Sequence, residues 1–170
     1  MESHLSSVPW TTPALWREAN ACLADAIRTH RSALAGSRRQ ARQTRLLLES
    51  IFPHMDVLCR QTCPDCTDIC CRRAYVWADF RDLLFCHLAD IPPPDRQLLD
   101  RKGGHCRYGG PGGCRLDRIR RPFVCTWYLC PAQTQRLRQA PAEMKTIQEI
   151  LQQIKRLRRD MEASFIRSIA

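Results

Sequence analysis

The run PALWREANACLADAIRTHRSALAGSRRQARQTRLLLESI, Pro13 to Ile51, decides the architecture. Within it Trp16, Asn20, Leu23, Ile27, His30, Leu34, Ser37, Ala41, Thr44, Leu48 and Ile51 advance alternately by four and three residues. That rhythm turns one side of a long helix toward a packing partner. Thr12-Pro13 resembles a helix start, because proline at the first helical position lacks only an amide that would have no partner there. Asn20, His30, Ser37 and Thr44 interrupt the apolar seam. Gly36 costs about 1 kcal/mol relative to alanine inside a helix, so a bend or break is expected near it.

A second long helix is expected to start at Pro141 and run nearly to the C-terminus. Met144, Ile147, Leu151, Ile154, Met161 and Phe165 form its apolar stripe, with Arg156, Arg158 and Arg159 placed opposite. The economical arrangement packs this helix against the first, so that the chain ends form a hairpin-like scaffold capped by the middle. A homodimer through the same seams would carry the same pattern. The fold is therefore read as mainly α. Residues 1–12 are a flexible lead and 13–170 a single domain. Within it lie an N-terminal helix region at 13–52, a loop-rich cysteine metal-binding region at 59–131 and a C-terminal helix at 141–169.

The 170 residues are 44% apolar, enough for one core, while 7% aromatic and 26% charged residues keep that core modest. Met1 to Pro13 shows no basic segment leading into an apolar run, and no apolar run approaches the roughly 20 residues needed to cross a bilayer. A cytoplasmic protein without membrane attachment is expected. The net charge of +10 comes from 24 arginines and 3 lysines against 17 acidic residues. A basic surface attracts phosphate, and Arg38-Arg39-x2-Arg42-x2-Arg45 is the densest candidate for nucleic acid. The same pattern also describes the solvated face of a helix.

Eleven cysteines, six of them between Cys59 and Cys86, supply the chemistry. In a reducing compartment short cysteine spacings point to metal ligands or redox groups, and an odd number cannot pair completely. Cys63-x2-Cys66-x3-Cys70-Cys71 is the dense half. Cys106, Cys114, Cys125 and Cys130 bring the candidate thiolates to eight, enough for two four-ligand sites or one polynuclear cluster. On a helical turn Cys63, Cys66 and Cys70 share a face, while Cys71 is rotated by about 100 degrees. Either Cys70 and Cys71 serve different metals or a non-helical loop wraps one cluster. Sulfur ligation suits zinc or iron-sulfur chemistry and disfavours magnesium and calcium, and spacing does not separate the first two.

Between the long helices, Trp77, Phe80, Leu83, Leu84 and Leu88 predict a helix from about Ala78 to Ala89, stopped before Pro92-Pro93-Pro94. The rest reads as loop. Gly103-Gly104 and Gly109-Gly110-Pro111-Gly112-Gly113 allow the turns that bring Cys106 and Cys114 inward.

Cys63-x2-Cys66-x3-Cys70-Cys71, Gly104-His105-Cys106, Gly113-Cys114 and Arg121-Pro122-x2-Cys125-x4-Cys130 are together similar to the YkgJ-type cysteine-cluster family, whose members are described as zinc- or iron-chelating. The resemblance covers about residues 59 to 131 and leaves both terminal helices aside. It implies metal binding by the eight motif cysteines and supplies no agreed reaction. Cys22, Cys59 and Cys86 fall outside the motif. Cys59-x3-Cys63-x2-Cys66 also matches the three-cysteine signature of radical SAM enzymes, but that chemistry normally requires a large strand-rich barrel, which this short chain does not offer.

Other residues read more plainly. Cys22 and Cys86 are expected as small buried hydrophobes inside helices. His105 precedes a ligand and either replaces a thiolate or hydrogen-bonds near it, and the same alternatives apply to His87; His54 and His30 have no ligand-spaced partner. Arg121-Pro122 would restrain the approach to Cys125 and donate to sulfur or a carboxylate, and Trp127 and Tyr128 would shield the site or pack in the core. Asp65 and Asp68 cap amides in the ligand turn rather than act as bases. No nucleophile with an ordered histidine and acid is recognisable, and Gly109 to Gly113 lacks the lysine of a phosphate loop. The expected function is metal binding by an iron-sulfur centre in electron transfer or redox sensing, with a redox or other protein partner. A structural zinc module contacting protein or nucleic acid is the second expectation, and a component of a macromolecule-modifying enzyme the third.

Overall fold

The computed structural model describes residues 8–64, 66–67, 70, 76–100, 105–110 and 113–170. Cys71, Asp65, Asp68, Gly103, Gly104, Pro111, Gly112 and the residues before Val8 lie outside them. The described residues form a mainly α fold. Helix α1 spans Pro13–Thr29 and α2 Ala35–Thr62, followed by α3 at Phe80–Leu88, α4 at Val124–Trp127, α5 at Pro131–Arg138 and α6 at Pro141–Ile169. Two short antiparallel ladders lie between α3 and α4: β1 (Leu99–Asp100) with β2 (His105–Cys106), and β3 (Gly109–Gly110) with β4 (Gly113–Cys114).

Along the seam Trp16, Leu23, Ile27, Leu34, Ser37, Ala41, Thr44, Leu48 and Ile51 are all buried. The expected break falls just ahead of Gly36, where a turn over His30 to Leu34 separates α1 from α2. Thr12 caps α1 by accepting from the Leu15 amide at 3.2 Å, with Pro13 in the first turn. Asn20 has its own reason to interrupt the seam, since its side-chain oxygen meets His87 Nε2 of α3 at 3.0 Å. Burial pushes His87 below its ordinary pKa, and the neutral ring with its proton on Nε2 is the donor this contact needs.

Helices α2 and α6 make the most extensive packing in the chain. They run antiparallel: Gly36 faces Ser164 and Ser168 Oγ donates to the Ala33 carbonyl at one end, while His54 meets Glu143 at 2.8 Å at the other. A Cβ at Gly36 would stand 3.2 Å from Ser164 Oγ, so glycine sets the helix separation here. The seams thus cover one another within one chain.

Three details depart from expectation. Helix α2 does not stop near residue 52 but passes Pro53 and ends at Thr62, because Ile51, Met55 and Leu58 carry the buried stripe onward. That packing outweighs the hydrogen bond that a mid-helix proline removes. Arg158 is not on the outer face of α6. It is 5% exposed and occupies the stripe between Ile154 and Met161. Residues 8–12, expected as part of a flexible lead, are tied to the fold: Val8 is buried, the Pro9 carbonyl accepts from Gln97, and Trp10 meets Trp16 edge-on at 6.2 Å.

Arg158 closes a polar knot inside the fold. Asp79 and Asp82 form a capping box at the start of α3, each accepting from the other's amide. Asp82 Oδ1 also accepts from Arg158 Nη2 at 2.8 Å and from the Phe123 amide at 2.9 Å, one residue before α4. The guanidinium lies 5.0 Å from the Phe123 ring. Helices α3, α4 and α6 are therefore tied at one carboxylate.

Candidate metal centre

The last turns of α2 carry Cys59 and Cys63, four residues apart and so on one side of the helix. Leu58 takes the buried position of the stripe, which leaves Cys59 half-buried beside it. Its sulfur accepts from Arg118 Nη2 at 3.4 Å and from Gln133 Nε2 at 3.6 Å. Arg118 reaches it from the 3-10 turn at Arg118–Arg120 and is held through its Nε by Asp56, nearly one turn before Cys59. The Cys63 thiol is pushed up to about 11, first by partial burial and then by Cys59, with Cys70 adding to the effect and the Thr62 hydroxyl, 3.9 Å away, opposing it. Cys66 follows through its amide, which donates to the Cys63 carbonyl at 3.2 Å.

Gln133 links this group to a later cysteine. The Cys130 sulfur caps α5, accepting from the Gln133 amide at 3.5 Å, while the Cys130 amide donates to Gln133 Oε1 at 3.3 Å. The same side chain that reaches Cys59 thus closes a capping box on Cys130, and it is 7% exposed.

A second group is assembled by the two ladders and α4. Cys106 on β2 pairs with Leu99 and is buried; Cys114 on β4 pairs with Gly109. Gly113 adopts φ +101, a conformation that favours glycine and delivers Cys114 to the ladder. Tyr108 fastens the hairpins, its hydroxyl accepting from the Arg96 amide at 3.0 Å and its carbonyl accepting from the Arg115 amide at 2.9 Å. Cys125 lies on α4, directly after the segment fixed by the Asp82 knot. Burial pushes Cys125 up to about 12, with Cys106 and Cys114 adding to it and Arg121 opposing. Burial likewise raises Cys106, and Cys114 contributes.

Seven of the eight expected ligands are thereby placed, and Cys71 lies outside the described residues. None of the described cysteines forms a disulfide. Cys59 and Cys130 are linked through Gln133, with Cys63 one turn beyond Cys59, whereas Cys106, Cys114 and Cys125 pack against the core. Among the described residues no three His, Cys, Asp or Glu side chains already stand close enough to hold a metal ion. The candidate donors are sulfur, a soft-metal ligand type, and N–H groups of Arg118 and Gln133 are aimed at one of the sulfurs, Cys59.

Several neighbouring residues take other roles than expected. Arg121 donates to the Leu116 carbonyl at 2.9 Å, and Arg118 is the arginine that reaches sulfur and carboxylate. Trp127 and Tyr128 are 41% and 47% exposed, so they neither seal the site nor pack in the core. Cys86 is buried as expected, its thiol pushed up to about 12 by burial, but Cys22 is exposed because the α1 stripe runs through Trp16, Leu23 and Ile27. His105 lies exposed on β2, while His54 is occupied by Glu143. Arg39, Arg42 and Arg45 form a solvated face, with Arg45 paired to Glu49.

Cys59, Arg118 and Gln133 join this region without being marked by the cysteine motif. The sequence signal for Cys59 is the stripe itself, which continues from Ile51 through Met55 to Leu58 and therefore keeps residues 59 and 63 on one helix. Nothing local marks Arg118 or Gln133, whose roles depend on distant packing. No family model matches the chain, nor does any curated protein or solved structure with which it was compared. No helix among the described residues is long and apolar enough to cross a membrane.

Proposed function

We propose that this protein binds metal through cysteine thiolates and that an iron-sulfur centre serves electron transfer or redox sensing. What supports the metal reading is that Cys106, Cys114 and Cys125, from three separate elements, pack against the same core without forming a disulfide. A metal ion bound there would displace the thiol protons, so loading should strengthen as pH rises. Cys63 and Cys70 are exposed, so a centre formed there would be within reach of a redox partner. N–H donors to sulfur, as at Cys59, tune the potential of iron-sulfur centres. The spacing that resembles the YkgJ-type family supports the same donor set, and a reducing cytoplasm would keep the thiols available.

A structural zinc module is the second reading, favoured by the separation of the thiols into two neighbourhoods, each suited to a single ion. The exposed Arg39 and Arg42 would then offer a contact for protein or nucleic acid. Anaerobic purification followed by iron, zinc and sulfide analysis and an absorption spectrum distinguishes them. Iron with acid-labile sulfide and a visible charge-transfer envelope is expected. Colourless protein carrying two zinc ions would establish the second reading instead, and protein that takes up neither metal would exclude both.

A further inference from the structure

Building on the metal-binding reading, we infer that Cys59 is itself a thiolate ligand, and that it shares one centre with Cys63 and Cys130 while Cys106, Cys114 and Cys125 belong to another. The core does not need Cys59: Leu58 fills the adjoining stripe position at 3% exposure. What surrounds the sulfur is polar instead. Arg118 and Gln133 both present N–H groups to it, at 3.4 and 3.6 Å, and Cys63 follows one helical turn on, its amide donating to the Cys59 carbonyl at 2.9 Å. A neutral thiol is a weak acceptor, so two converging donors suit a sulfur that carries charge.

The position of Gln133 extends the inference to Cys130. Its side-chain nitrogen reaches Cys59, while its backbone amide and side-chain oxygen engage the Cys130 sulfur and amide. This nearly buried residue therefore stands between two sulfurs brought from opposite ends of the cysteine-bearing region. Cys125, only five residues before Cys130, instead packs from α4 against the core that Cys106 and Cys114 of the ladders also meet. The later four cysteines of the motif are thus divided three to one, and the division follows the fold rather than the order of the chain.

Footprinting of the full chain with Cd2+ under anaerobic, reducing conditions tests this without a substitution. Brief alkylation and mass spectrometry at increasing Cd2+ would report each thiol separately. Cys59, Cys63 and Cys130 are expected to become protected over the same part of the titration, with Cys106, Cys114 and Cys125 over another, while exposed Cys22 stays reactive throughout. Protection of the motif cysteines with Cys59 as reactive as Cys22 would overturn the inference but leave the metal reading intact. A Cys59–Cys63 disulfide in the loaded protein would also overturn it. Failure of Cd2+ to protect any cysteine would sink both.

Variants supply a second readout. By competition with a chromogenic chelator, Cys59→Ser should weaken one centre by about 100-fold, and Gln133→Leu, which keeps every thiol, by about 10-fold. Combining Cys59→Ser with Cys114→Ser should give independent losses at two centres, whereas Cys59→Ser with Cys130→Ser should be non-additive. Additivity in the second pair and coupling in the first would reverse the grouping.

Discussion

The α2–α6 seam and the end of the molecule that carries the cysteines are held together by different physics. Along the seam, Ile51, Ile147, Ile154 and Met161 are fully buried, and the chain needs only complementary shape to close it. At the cysteine end, short ladders, a one-turn helix and a 3-10 turn bury little by themselves. They are positioned by arginine to carbonyl bonds, by the Tyr108 clasp and by the Asp82–Arg158 knot. Apolar packing is tolerant of small errors, while a buried polar tie fails when one member is lost. The scaffold should therefore tolerate modest packing changes, whereas the cysteine end should lose its arrangement when a single polar tie is removed.

The most damaging change should be to the knot. Asp82→Ala leaves the buried Arg158 with only the longer contact to Asp79 at 3.4 Å and should cost about 3 kcal/mol, read from urea unfolding. Because Asp82 also holds the Phe123 amide, Cys125 should lose protection in Cd2+ footprinting even where the helical signal is retained. Equal losses from Asp82→Ala and from a surface substitution would break the comparison at its polar side.

Truncation in the seam comes next. Ile154→Ala removes a fully buried side chain and should cost about 2–4 kcal/mol, with the cavity it leaves adding to the lost transfer energy. It should lower the urea midpoint with metal present or absent, and by similar amounts. A seam variant whose deficit vanished on metal loading would mean that scaffold and site fold as one unit.

This division also explains which parts of the molecule can be read from sequence. The seam is legible because its period survives polar interruptions: Ser37 and Thr44 lie on it and are as buried as Leu34. Arg158 follows the same period, four and three residues from Ile154 and Met161, but its charge argues for the surface. The tertiary pairing with Asp82 and Asp79 makes burial acceptable there. The cysteine spacing identifies the candidate donor set, yet the grouping turns on Gln133 and Arg118, residues whose chemistry becomes specific only once α2 and α5 have met. Pro53 conceals the helix that joins Cys59 and Cys63, since the rule that proline ends a helix gives way to the packing of Met55 and Leu58.

The pH dependence of the knot gives a finer test. Burial lifts the Asp82 carboxyl from its ordinary 3.8 to about 6, with Arg158 opposing and Asp79 adding to the rise. The folded state holds this proton more tightly than the unfolded chain. Its contribution to stability is therefore fully present below the unfolded pKa and is lost as pH rises through about 6. Urea midpoints of the wild type, compared with Asp82→Asn, should fall between about pH 4 and 6.5 and run parallel above that window. A difference that grew with pH instead would show that Arg158 depresses the carboxyl more than burial raises it.

The smallest effect is expected at Gly36, where a contact rather than a charge is at stake. Alanine there gains about 1 kcal/mol in helix propensity, but its Cβ would lie 3.2 Å from Ser164 Oγ on α6. That contact is tighter than ordinary packing, and the hydroxyl lies at the end of a short side chain. Gly36→Ala alone should therefore change the urea midpoint little, because propensity and crowding oppose one another. In a Ser164→Ala background the crowding does not simply disappear, since the Cβ atoms of both helices remain, but the closest atom is gone and part of the gain should emerge. The double variant should then exceed the sum of the two singles by up to about 1 kcal/mol, a coupling of the size found between touching residues. Strict additivity would mean that the helices already separate enough to admit a methyl group, and that glycine is retained for the turn before α2 rather than for its approach to α6.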